Sequence, residues 1–127
     1  MGKTIHITGS NGLLGQKLVY GLLERNRKGA DWNIIATARG VNRLKVTEGY
    51  HYETMDITNK GEIESVFSKY MPVVVINTAA MTNVDLCESQ RDEANLLNAW
   101  SVKFMTDVLN DLAKKNSGLD AHFIHLS

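Results

Sequence analysis

Apolar and polar positions along this chain change period in blocks, and each block predicts one element. Lys3–Thr8 places Ile5 and Ile7 two apart among polar residues, the alternation of a strand. Asn11–Arg25 then carries Leu18, Val19, Leu22 and Leu23 on one face at helical spacing. The polar loop Asn26–Asp31 leads to a second strand, Asn33–Ala38. A stretch rich in Arg and Lys precedes a weaker third strand near Tyr50–Thr54. Asn59–Tyr70 spaces Ile63, Val66 and Phe67 as a helix does. Pro72 opens the clearest strand, Val73–Asn77, where its missing N–H does least harm. A long helix over Arg91–Lys115 uses Ala94, Leu97, Val102, Met105, Val108 and Leu112 as its apolar stripe. Gly118 ends it, and Ala121–Ser127 reads as a fifth strand. Strands alternating with helices predict an α/β fold, a doubly wound parallel sheet covered on both faces. Right-handed crossovers with one reversal give the strand order 3-2-1-4-5. No repeat, low-complexity stretch or linker divides the chain.

The junction of first strand and first helix holds the most specific chemistry. Gly9, Gly12 and Gly15 recur at three-residue spacing across it. Gly9 lets the chain turn sharply off the strand. Gly12 removes a side chain that would keep phosphate from backbone N–H groups, and Gly15 permits close helix packing. The helix N-terminus offers unpaired N–H donors and partial positive charge to a pyrophosphate. This is the pattern of a Rossmann-type dinucleotide site; an ordinary strand–helix turn is the alternative.

Composition narrows the partners. The 127 residues suit one domain, and 43% apolar with 22% charged residues suits a soluble globular one. Fourteen basic and fourteen acidic residues cancel, so charge gives no reason to expect nucleic acid or an anionic membrane as partner. The single cysteine, Cys87, cannot form an intrachain disulfide and fits a reducing compartment; a small, half-buried residue is expected there. No run reaches membrane-spanning length, the N-terminus enters a strand pattern without a signal peptide, and His6 stands where N-myristoylation needs Ser or Thr. A cytoplasmic location is expected. His122 and His125, three apart on a strand, point to opposite faces and cannot share a metal, and His6 and His51 lack clustered partners, so no metal is expected.

Five ordered stretches then resemble one family. TGSNGLLG at 8–15, MDIT at 55–58, PVVVINTAAMTNVDLCE at 72–88, LLNAWSV at 96–102 and HFIHLS at 122–127 resemble the extended short-chain dehydrogenase/reductases of nucleotide sugars. Within them, the dTDP-4-dehydrorhamnose reductases are the most similar. The resemblance implies cofactor contacts from Gly9, Asn11, Gly12, Leu13, Leu14 and Gly15. It further implies an adenine contact at Asp56 and Ile57, where helix capping is the alternative and Thr58 or Asn59 also qualifies. Asn77, Thr78, Ala79 and Ala80 end the fourth strand, where small residues leave room for ribose and nicotinamide and strand-end packing is the alternative, and Ala80, Met81 and Thr82 match the stretch that contacts cofactor. Asn98 matches a helix asparagine that supports the active site, and Asp85 and Glu88 match a stretch lining the substrate or an interface; a satisfied interior amide and solvated charges are their respective alternatives. Arg39 follows the second strand directly, where an NAD-preferring protein usually places a carboxylate. With Arg43 and Lys45 close behind, it suits the 2′-phosphate of NADP, with NAD as the alternative and a solvated basic loop as the plain reading.

One departure limits the activity expected. In this family a Tyr-x-x-x-Lys helix follows the fifth strand and supplies the acid for ketone reduction. Tyr20, Tyr50, Tyr52 and Tyr70 are followed four residues on by Glu24, Thr54, Asp56 and Val74. Losing such an acid removes about 10²–10⁴-fold in rate. No catalytic residue is therefore expected within these 127 residues, although Ser127 matches the first residue of a substrate-contacting serine stretch. The chain reads as the N-terminal, cofactor-binding portion of a reductase of 4-keto nucleotide sugars, cut short after its fifth strand and inactive alone. Its apolar residues Phe123, Ile124 and Leu126 would then form an edge strand that pairs with another copy, giving a homo-oligomer. The alternatives are part of a nucleotide-sugar epimerase or dehydratase that retains NAD, and a non-catalytic NADP-binding regulatory module.

Overall fold

The computed structural model describes residues 2–79, 88–116 and 119–126, and of residues 88–95 and 97 the backbone alone. Its strands are β1 (Thr4–Thr8), β2 (Asn33–Ala38), β3 (His51–Thr54), β4 (Val74–Asn77) and β5 (His122–His125). Its helices are α1 (Leu13–Arg27), α2 (Lys60–Tyr70) and α3 (Glu88–Lys115). All strand pairs are parallel and the sheet order is β3-β2-β1-β4-β5, as the alternating pattern predicts. Among the described residues no helix is long and apolar enough to cross a membrane.

The central strand explains the two-layered core. Ile5 and Ile7 of β1 are buried with Val19 of α1 and with Ile34 and Ala36 of β2. Between them His6 and Thr8 face the opposite layer, where the His6 ring meets Phe67 of α2 edge-on with centroids 5.1 Å apart. That layer gathers Ile63, Val66 and Phe67 of α2 with Met105, Val108, Leu109 and Leu112 of α3. Because β1 is covered on both sides, its polar residues must find partners inside. His6 Nε2 lies 2.7 Å from Thr37 Oγ1, and the Thr8 hydroxyl donates to Asn77 Oδ1. Burial holds the His6 imidazole down to about 3, against a small opposing pull from Glu53.

Element ends differ from the sequence pattern where local bonds intervene. Helix α1 begins at Leu13 rather than Asn11, because the Gly12 N–H closes a turn on the Gly9 carbonyl at 3.0 Å. Helix α3 begins at Glu88, three residues before the apolar stripe predicts. Helix α2 is capped by the Asn59 side chain, which accepts from Glu62 N at 3.2 Å, and it stops at Met71 in the left-handed region (φ 49°), just before Pro72. Strand β5 is shorter than predicted and largely exposed: Phe123 packs against the core that holds α2 and α3, whereas Ile124 keeps 44% of its surface open. Gly118 and Cys87 lie outside the described residues.

Candidate functional site: a cleft at the carboxyl ends of the strands

Three glycines at the β1–α1 junction have three different physical reasons to be there. Gly9 has φ +73°, and a Cβ on it would come within 2.5 Å of Ala79 N and 2.7 Å of Thr78 Oγ1. A Cβ on Gly15 would sit 2.2 Å from the Gly9 carbonyl oxygen and 2.8 Å from Ser10 Cα. Its lack of a side chain thus serves the glycine turn itself, a more local constraint than the helix–sheet packing expected of it. Gly12 is unlike both. Among the described residues a Cβ there would meet only the Gly9 oxygen, at an ordinary 3.4 Å, and its φ of −77° suits any residue. Nothing among the described residues requires Gly12 to lack a side chain.

Gly12 is also the N-cap of α1, with no side-chain cap and no acidic residue in the first turn. Most helices satisfy their first N–H groups with a capping oxygen. Here the N-cap residue, Gly12, lines a cleft beside the helix's positive end. The cleft, of about 400 Å³, is lined by Gly9, Asn11 and Gly12 after β1, Ala38, Arg39 and Arg43 after β2, Met55–Thr58 after β3, and Thr78 and Ala79 after β4. It lies across the carboxyl ends of the strands, beside the point where the strand order reverses, which is where open α/β sheets bind ligands.

Each wall is fixed from behind. Thr78 donates its hydroxyl to the carbonyls of Thr8 (2.7 Å) and Gly9 (3.2 Å), locking the end of β4 to the glycine turn. Ser10, fully buried, donates its backbone N–H to Thr37 O at 3.0 Å. Asp56 takes both the hydroxyl (2.7 Å) and the backbone N–H (2.9 Å) of Thr58 on Oδ1. The Thr58 hydroxyl bond, its backbone N–H and the charge of Arg39 hold this carboxyl below its ordinary range despite partial burial. It is a permanent acceptor at neutral pH. The capping alternative for Asp56 falls to Asn59 instead. Arg39 and Arg43 are exposed, and neither is in an ion pair with a described residue.

The structure thus brings Gly9, Asn11, Gly12, Arg39, Asp56, Ile57 and Ala79 to one cleft. Leu13 and Leu14 stand on the first turn of α1 with 74% and 45% of their surface open, and neither they nor Gly15 is among the cleft-lining residues. Asn98 is half-buried on α3 and does not line the cleft. Ala80, Met81, Thr82, Asp85 and Ser127 lie outside the described residues, as does the side chain of Glu88. Ala38, Met55 and Thr58 also line the cleft, and the sequence did not single them out as contacts. Their signal is positional, since each ends or closely follows a strand of a parallel sheet.

Comparison with known proteins agrees with this geometry. The chain is 28% identical over 126 residues to methionine adenosyltransferase 2 subunit beta of Xenopus tropicalis, covering 99% of this chain and 32% of that one. It is 29% identical over 101 residues to dTDP-4-dehydrorhamnose reductase of Aggregatibacter actinomycetemcomitans, covering 80% and 29%. It therefore spans about a third of the length of these relatives. The crystal structure of L-threonine dehydrogenase from Clostridium difficile superposes with a TM-score of 0.73 at 28% identity, over 97% of this chain and 35% of that one. The family model described as RmlD substrate binding domain matches residues 3–127, and the chain belongs to that family.

Proposed function

We propose that this chain binds NADP in the cleft and forms the cofactor-binding portion of a reductase of 4-keto nucleotide sugars. The observation that carries the reading is Gly12. Among the described residues only the Gly9 oxygen comes near its Cβ position, yet the residue is glycine, at an uncapped helix N-terminus, and it lines the cleft. A pyrophosphate approaching those N–H groups is what a side chain there would obstruct. The Asp56 carboxylate would accept from the adenine amino group, and the presence of Asp56 and Ile57 in the cleft lining supports that role. The free guanidiniums of Arg39 and Arg43 suit a 2′-phosphate through charge-assisted bonds. When bound, the dihydronicotinamide supplies the hydride for ketone reduction. This chain's own residues bind and orient. None of its tyrosines is followed by lysine at the fourth position, so the proton for the product alcohol has no source among them. Binding without turnover is expected of the 127 residues alone.

The experiment is a fluorescence titration of the chain with NADPH and NADH, repeated on Arg39→Ala. The expected result is saturable binding that favours NADPH. Arg39→Ala should weaken NADPH by about tenfold, or about 1.4 kcal/mol, and leave NADH nearly unchanged. Equal losses for both dinucleotides would reject the 2′-phosphate assignment, and the absence of binding would reject the site.

A further inference from the structure

The stretch after β2 that carries both cleft arginines has no regular secondary structure, yet its backbone is held closely. Asn11, from the glycine turn, donates Nδ2 to the carbonyls of Val41 (2.9 Å) and Arg39 (3.3 Å). Its Oδ1 accepts from Arg43 N at 2.7 Å. Both donors and the acceptor of this amide are thereby committed to the two arginine positions and to Val41 midway between them. Tyr52, on β3, reaches the same backbone from the other side. Its hydroxyl donates to Gly40 O at 2.7 Å and lies 3.3 Å from Ala38 O. Burial pushes the phenol up, opposed by a bond between Tyr52 and Asn11, so the hydroxyl remains a donor. Two side chains thus fix the carbonyls of residues 38–41 and the amide of residue 43.

A solvated basic loop has no use for this. Long cationic side chains find an anion from many backbone positions, but discrimination between a 2′-hydroxyl and a 2′-phosphate needs the guanidiniums placed before the ligand arrives. Asn11 in particular ties the turn that would take the pyrophosphate to the loop that would take the 2′-phosphate. The spacing between those two groups is constant within one dinucleotide, and a rigid link between their subsites suits it.

We infer that Asn11 and Tyr52 are a pair of positioning residues that set the preference for the 2′-phosphorylated dinucleotide by holding the backbone of Arg39 and Arg43. The inference rests on the NADP reading above.

The test compares the chain with Tyr52→Phe, Asn11→Ala and Arg39→Ala, measuring dissociation constants for NADPH and NADH and, as fragments, for 2′,5′-ADP and 5′-ADP. Tyr52→Phe removes one exposed-side hydroxyl and keeps the ring, so it retains the fold even if Asn11→Ala does not. The expected result is a preference for NADPH over NADH that falls at least fivefold in each clamp variant, with the same loss between the two fragments; Tyr52→Phe keeps NADH affinity within about twofold, and Asn11→Ala loses more NADPH affinity than NADH affinity. A merely structural role would lower the melting temperature or weaken both dinucleotides together, leaving the preference intact. If Arg39→Ala loses the preference while Tyr52→Phe and Asn11→Ala keep it, the clamp is overturned and the NADP reading stands. A chain with no preference, or an Arg39→Ala variant that keeps it, overturns both.

Discussion

The two sides of the cleft are built by opposite means. On the β1–α1 side, backbone lies against backbone: Gly9 and Gly15 bring strand end, turn and helix closer than any Cβ would permit. On the β2–β3 side, an irregular stretch is held at a distance by long polar side chains, Asn11 and Tyr52 foremost, with the Tyr20 hydroxyl accepting from Lys45 N at 3.0 Å. The first construction has no slack, so adding atoms should unfold it locally. The second tolerates exchange of one side chain but loses aim. Affinity should therefore fail at the turn, and discrimination at the loop.

The largest expected effect concerns the strand pair beneath both sides. His6 on β1 and Thr37 on β2 form a buried polar rung. Burial lowers His6 to about 3, so the folded state keeps it neutral while the unfolded chain takes up a proton below about 6.5. The unfolded state then binds more protons, and stability present above pH 6.5 is lost as pH falls toward 3. The slope is about 1.4 kcal/mol per pH unit and the sum about 5 kcal/mol. Urea melts of the chain and of His6→Gln across that range should give a shallower acid limb for the variant. Parallel limbs would mean that His6 takes no part in the acid lability.

Next is the turn itself. Gly15→Ala forces a Cβ to within 2.2 Å of the Gly9 oxygen, and repacking around such overlap costs about 3 kcal/mol. Gly12→Ala, by contrast, should cost less than about 1 kcal/mol. Equal destabilisation of the two variants would erase the distinction between a glycine the fold needs and one it does not.

A smaller effect is expected at Asp56. Asp56→Asn keeps the shape and one oxygen but removes the charge proposed to meet an adenine amino group. Dinucleotide affinity should fall about fivefold, or about 1 kcal/mol, for NADPH and NADH alike. Loss confined to NADPH would place the carboxylate with the 2′-phosphate subsite instead.

Much of the fold was legible because the signals are local. The alternation in Ile5–Thr8, the apolar run Val73–Ile76 and the helical spacing of Ile63, Val66 and Phe67 each depend on a few neighbours. Strand order followed from handedness once the elements were known. What the pattern did not convey arises from pairs distant in sequence. Asn11 meets residues 39, 41 and 43, and Thr8 meets Asn77. His6 and Thr8 look like the wet face of a strand, yet both are fully buried because β1 is central and each finds a partner on an adjacent strand. Strand β5 shows the converse. Its apolar residues predict burial, but at the edge of the sheet only Phe123 lies against the α2–α3 layer. The glycine spacing pointed to the site, while the separate reasons for Gly9, Gly12 and Gly15 depend on which atoms lie within 4 Å of each.

The measurement that bears most directly on the account is a paired one on Gly12→Val, with calorimetric titration by NADPH alongside thermal unfolding. A Cβ at this position meets only the Gly9 oxygen among the described residues, and a branched side chain would project where a pyrophosphate is proposed to meet the N–H groups of α1. The account expects heat of binding to vanish while stability stays within about 1 kcal/mol of the parent. A variant that unfolds like the parent and still binds NADPH with the parent's affinity would contradict it, and would reduce the glycine turn to a strand–helix connection.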